Sequence, residues 1–152
     1  MKRVELAPLL HVMTSLVVIA IGFWVGPRLP ISKDVAKPMG GLIFLLGLAM
    51  FAWTVVHLRK AFFGNIEPVG DRLVTSGPYG YVRHPLYLSM VIMLLGLTAQ
   101  LRGFWGIVGT FVLFLPAAAY RAKLEENALA RRFGQQWEDY ARRTSFMVPA
   151  LW

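Results

Sequence analysis

The chain reads as an all-α integral membrane protein with about four transmembrane helices and an amphipathic C-terminal helix, on three observations. Hydrophobic residues make up 57% of its 152 positions, and the mean hydropathy of +0.55 lies far above that of an ordinary soluble domain. Four apolar stretches, residues 7–25, 39–58, 85–99 and 104–120, each run for about 15–20 residues, against the roughly 17–25 that a spanning helix needs. Charge supplies the third. With the N-terminus inside, most Lys and Arg fall on the cytoplasmic side, and only Arg28, Lys33, Lys37 and Arg102 fall outside, the asymmetry expected of cytoplasmic loops.

Lys2 and Arg3 ahead of the first stretch would suit a signal peptide, but no small-residue cleavage pattern follows Trp24-Val25-Gly26-Pro27, so the segment is read as a retained helix. Gly26-Pro27 and Leu29-Pro30 break it, and Lys37-Pro38 restarts the chain into the second. The connection 59–84 is the longest polar segment, and its interleaved Leu73, Val74, Tyr79 and Tyr81 want a surface to cover. The third and fourth stretches form a tight hairpin, slightly short or tilted for a bilayer. Gly103, Gly106 and Gly109 leave a smooth stripe on the fourth, suited to close approach of a neighbour. Leu124, Ala128, Leu129 and Phe133 carry an apolar face onward to residue 133, where Gly134 ends it, and residues 134–152 are a tail. The whole chain is one domain.

A net charge of +8 raises a nucleic-acid reading, but the basic residues are spread over loops without an aromatic-basic face, and none is expected. The absence of cysteine removes disulfides, thiolate metal ligands and a thiol nucleophile. His11, His57 and His84 match no metal-ligand spacing and are read as snorkelling or pocket-lining, with no metal site.

The hairpin returns the chain to the side it left, so the polar residues at its entry and exit meet at one surface, where clustered ionisable groups imply function. Pro85 suits the first turn of a helix, which puts Arg83 and His84 at an N-terminus that favours an anion; equally, Arg83 could anchor the helix to headgroups while His84 caps it. Arg121 and Glu125 are four apart and face the same way on a helix, either as a plain ion pair or as the carboxylate for a cationic or hydroxyl-bearing ligand and the fork for an anionic one.

Taken in order, Leu73-Val74-Thr75-Ser76-Gly77-Pro78-Tyr79, Tyr81-Val82-Arg83-His84-Pro85-Leu86-Tyr87, Glu125-Glu126, and Phe133-Gly134-Gln135-Gln136-Trp137-Glu138-Asp139-Tyr140 with Pro149 downstream resemble the isoprenylcysteine carboxyl methyltransferase family, related to the membrane phospholipid methyltransferases. Asp71 stands where eukaryotic members typically have histidine and Ser89 where glycine is frequent, and the N-terminal helices are fewer than in the eukaryotic enzymes, a short form that looks like the bacterial members. The resemblance implies an integral enzyme of the bacterial inner membrane, both termini cytoplasmic, that binds S-adenosylmethionine in a cytoplasmic pocket without a Rossmann fold. It implies cofactor-binding roles for Asp71, Arg72, Leu73, Val74, Tyr79, Arg83, His84, Pro85, Leu86, Tyr87 and Glu125, and catalytic roles for Arg121 and Glu126. The implied partners are membrane lipid and a lipophilic or lipidated acceptor, a carboxylate such as that of isoprenylcysteine among them. Two alternatives stand beside it: an NADPH-dependent membrane reductase of related fold, and a non-catalytic lipid-binding membrane protein.

Overall fold

The computed structural model describes residues 3–24, 26–58 and 72–149, with side chains from Val12 onward. Asp71, with residues 59–71 of the 59–84 connection, and the His11 side chain therefore lie outside the described residues. The rest is helical: α1 (Arg3–Trp24), α2 (Lys33–Leu58), a single 3₁₀ turn (Gly77–Gly80), α3 (Pro85–Gln100), α4 (Phe104–Phe133) and α5 (Gln135–Arg143). Two of these, α2 and α4, are long and apolar enough to cross a membrane, while Val12–Trp24 and Pro85–Gln100 are shorter apolar segments.

α2 begins ahead of the expected Met39, and Pro38 lies inside it. The Ser32 carbonyl accepts from Val35 and Ala36 N–H at 3.3 and 2.9 Å and starts the helix, with Asp34 in its first turn opposing the positive end of the dipole. Pro38 follows so closely that its missing N–H costs at most one bond to the opening turn.

α3 is the centre of the packing, lying along α2 on one side and touching α1 and α4 on the other. Glycine permits both contacts. Gly40 and Gly96 bring the backbones of α2 and α3 together so closely that a Cβ on either would strike main-chain atoms of the other helix. On α4, Gly103 lies on Gly22, Gly106 between Gly22 and Thr98, and Gly109 on Val18, so the small stripe seats α1 and α3, as its spacing suggested. The core joins Val18, Tyr87, Val91, Leu94, Phe114, Ala118 and Ala122 with Met147 from beyond α5. Large apolar side chains remain exposed on α2, Leu42, Leu45, Leu46 and Val56 among them, a surface that water does not favour and lipid does.

Within α4 the turn Thr110–Phe114 is π-helical, with the Leu115 N–H bonded back to the Thr110 carbonyl. Pro116 explains the widening, because its ring would clash with the carbonyl four residues earlier in a regular helix. The extra residue in that turn shifts the register of everything beyond it by one position, about 100° of rotation. Ala118, Arg121, Ala122 and Glu126 are thereby buried.

At the end of the helices away from α5, arginines close the frame. Arg28 donates to the carbonyls of Gly22 and Phe23 at 2.9 Å and of Leu101 at 3.1 Å, capping the C-termini of α1 and α3 at once. Arg102, at φ 55°, exchanges bonds with Leu29: the Leu29 N–H donates to its carbonyl at 2.7 Å, and its guanidinium donates to the Leu29 carbonyl at 2.9 Å. Arg28→Met should lose about 1–2 kcal/mol of stability, discounted for exposure. The measurement is thermal unfolding in detergent, where a fall of a few degrees in Tm is expected.

Candidate functional site

The other end of α3 carries the ionisable cluster. His84 precedes the helix at φ −124°, ψ 57°, and Pro85 opens it. In the C-terminal half of α4, adjacent glutamates point about 100° apart and each gathers its own donors. The Glu125 Oε1 accepts from Tyr87 Oη at 2.7 Å and from Arg121 Nε at 2.8 Å. The Glu126 Oε1 accepts from Arg83 Nε at 2.8 Å, and its Oε2 accepts from Lys123 Nζ at 2.7 Å. His84 joins the two halves, with Nε2 3.3 Å from Glu126 Oε1 and Nδ1 3.9 Å from Glu125 Oε2.

Burial makes this arrangement demanding. Arg121 and Glu126 side chains are 4% and 11% exposed, and charges taken that far from water persist only when opposite charges and hydrogen bonds replace their hydration. Glu125, at 25%, is the more exposed of the two carboxylates.

Arg83 is committed elsewhere than an open anion site. Besides Glu126, its Nη1 donates to the Ala141 carbonyl at 2.7 Å and to that of Thr144, which closes the C-terminal end of α5. The amides expected to face an anion are also taken: Arg83 and His84 N–H donate to the carbonyls of Ser145 and Phe146 at 2.8 and 3.1 Å. These bonds give Arg83 the part of a tie between segments.

Tyr79 is buried, and its carbonyl accepts from Tyr140 Oη at 2.8 Å. Burial first, and then the nearby Glu125 charge, push the Tyr79 phenol well above the usual range. Burial also pushes the Tyr140 phenol up to about 12, against lowering by Thr144 and Arg83. Both phenols therefore remain protonated donors at neutral pH. The structure thus brings together Tyr79, Arg83, His84, Pro85, Tyr87, Arg121, Glu125 and Glu126, with Leu86 half-buried on the first turn. Arg72 is exposed and Leu73 and Val74 half-buried in the run leading to the turn, with no hydrogen bond or ion pair to the cluster among the described residues.

Sequence reasoning missed Lys123, the helix α5 and the strand-like segment after it. Trp137 and Tyr140, three apart behind Gly134, are a helical signal within the expected tail. Among the described residues there is no group of His, Asp and Glu suited to a metal. Glu125, a partly exposed carboxylate beside the phenols of Tyr79 and Tyr87, forms with them a set that suits a cationic ligand.

Among the described residues the fold is helical, with two helices long and apolar enough to cross a membrane and a charge-paired cluster at one helical end. A family model described as phospholipid methyltransferase matches residues 35–136. The chain belongs to that family, in agreement with the motifs seen in the sequence. It is similar to methanethiol S-methyltransferase 2 of Bradyrhizobium diazoefficiens, 27% identical over 93% of this chain and 59% of the relative. Similarity extends to the protein-S-isoprenylcysteine O-methyltransferase of Schizosaccharomyces pombe, 32% identical over 52% of this chain and 34% of the relative. A Delta(14)-sterol reductase of Mus musculus is 31% identical over 52% of this chain and 19% of the relative. The chain spans less than two thirds of the length of each of these relatives. No solved structure matches.

The 3₁₀ turn that leads into the cluster depends on Gly77, which holds φ +61° with its Cα against the His57 ring. A Cβ there meets both a left-handed backbone penalty and the imidazole, which is fixed by its 2.9 Å hydrogen bond with the Trp53 carbonyl. Gly77→Ala should cost about 1–3 kcal/mol. In thermal unfolding, adding His57→Ala should return part of that loss, since it removes the clash and leaves the backbone term.

Proposed function

We propose that this chain is an S-adenosylmethionine-dependent methyltransferase whose four apolar helices cross the bacterial inner membrane, with both termini and the site on the cytoplasmic face, and whose acceptor is lipophilic and enters from the bilayer. The observation that carries the reading is the pair Glu125 and Glu126, oriented by Tyr87, Arg121, Arg83 and Lys123 and bridged by His84. Its support from kinship is membership in a methyltransferase family.

The bound cofactor supplies an electrophilic methyl group on a sulfonium. What the protein has to add is placement of the acceptor in line behind that methyl carbon, and exclusion of water. Glu125, the more exposed carboxylate, holds the cofactor, with Tyr87 and Arg121 fixing its orientation; Tyr79 and the turn to Tyr87 shape the surrounding wall. Arg121 orients a carboxylate acceptor, which is already ionised at neutral pH and needs no base. An amine or thiol acceptor would also have to release a proton. Both Glu126 oxygens already accept from cationic groups, so His84, between the carboxylates, is the better-placed acceptor for it, with Glu126 steadying the imidazolium that results.

A second reading is favoured by the sterol-reductase similarity: a membrane reductase that places a nicotinamide in the same site. Calorimetric titration of the purified chain distinguishes them. S-adenosylhomocysteine should bind, and Glu125→Gln should weaken it by about tenfold or more; retention of NADPH with no S-adenosylhomocysteine binding would establish the reductase, and binding of neither would leave a lipid-binding protein. Incubating the enzyme with membrane lipid extract and radiolabelled cofactor should then put label into an extractable, lipophilic product, whose chemistry identifies the acceptor.

A further inference from the structure

Behind His84 runs a segment that the methyl-transfer reading does not use. Thr144 leaves α5 in an extended conformation, and Val82 and Ser145 pair as an isolated parallel bridge. Arg83 and His84 N–H donate to the Ser145 and Phe146 carbonyls, and Ser145 N–H returns a bond to the Tyr81 carbonyl at 3.3 Å. Met147 then anchors the segment in the core, 4% exposed. The strap is thus in register with the motif that begins α3, and that register delivers Phe146 to the cluster.

The Phe146 ring meets three members of it. The His84 ring stands 5.0 Å away at 65°, edge to face. Lys123 Nζ lies 4.7 Å from the Phe146 centroid and Arg83 Cζ 5.9 Å, both within cation–π range. The polar contacts of His84 are too loose to fix its plane: 3.3 Å to one carboxylate and 3.9 Å to the other, at and beyond the limit of a well-formed hydrogen bond. A small rotation would favour either glutamate. Ring packing must therefore set the orientation, and beside Phe146 the nearest aromatic is Tyr87, 6.0 Å away.

We infer that Phe146 is a positioning residue of this site: through the strap it holds the His84 imidazole between Glu125 and Glu126 and keeps Lys123 folded over Glu126. Its consequence for turnover rests on the methyltransferase reading, whereas its effect on His84 does not.

The test uses the full chain in detergent, labelled with ¹⁵N-histidine. Phe146→Leu, which keeps apolar volume and loses the ring, should displace the His84 ring-nitrogen signals, and Phe146→Tyr should leave them near those of the wild type. Replacing Phe146 with mono-, di- and trifluorophenylalanine preserves shape while weakening the ring face toward cations, and should move the same signals stepwise even if the leucine variant fails to fold. Unmoved signals across the fluorinated series, or equal displacement by tyrosine and leucine, would overturn the inference. In active preparations Phe146→Leu should lower kcat by about tenfold to a hundredfold with KM for the cofactor within about twofold. A wild type without methyl transfer would count against the proposed function and leave the spectroscopic result for Phe146 standing.

Discussion

A buried contact between opposite charges, Arg83 with Glu126, is the constraint on which the cluster depends. Arg83 belongs to the segment entering α3 and Glu126 to α4, and the same guanidinium reaches the carbonyls of Ala141 and Thr144 at the end of α5. One side chain thus fixes the mutual position of three chain segments. Desolvating such a pair costs several kcal/mol per ion, and it persists only where further hydrogen bonds complete the shell. Here Lys123, His84 and the two carbonyls do so. Removing either member of the pair leaves the other charge largely buried and short of an opposite charge.

The frame that presents this pair is stiff for reasons that lie elsewhere in the chain. Gly40 and Gly96 allow α2 and α3 to touch along their backbones, and Arg28 with Arg102 locks the opposite end through carbonyl bonds. Between them, the π turn before Pro116 sets the rotation of the rest of α4. Without that added residue the register of Arg121 to Glu126 would fall about 100° away, and the glutamates would not face His84. Sequence, helix register and site chemistry are therefore linked through one proline.

Much of this was legible because it is local. The apolar lengths marked the helices, the glycine spacing marked a packing stripe, and the four-residue separation placed Arg121 beside Glu125, as the 2.8 Å contact now has it. The destination of Arg83 was not legible. Its partners Glu126, Ala141 and Thr144 lie 43, 58 and 61 residues away, and neither periodicity nor capping rules carry information over such distances. The role of residues 144–147 was hidden for a related reason: a short non-helical segment has no signature of its own, and this one is defined by the bonds it makes to Tyr81, Arg83 and His84. Pro38 shows the reverse, a strong local signal for a boundary that the fold absorbs inside the first turns of α2.

The most direct test of the central claim is a double-mutant cycle on Arg83 and Glu126, using Arg83→Met, Glu126→Gln and the combination, with unfolding free energy read in detergent. If this pair holds the three segments together, each single change should cost about 3 kcal/mol or more, and the double should cost less than the sum by about 2 kcal/mol. Losses that add to within about 0.5 kcal/mol would show that the two charges act independently, and that something other than their contact organises the site.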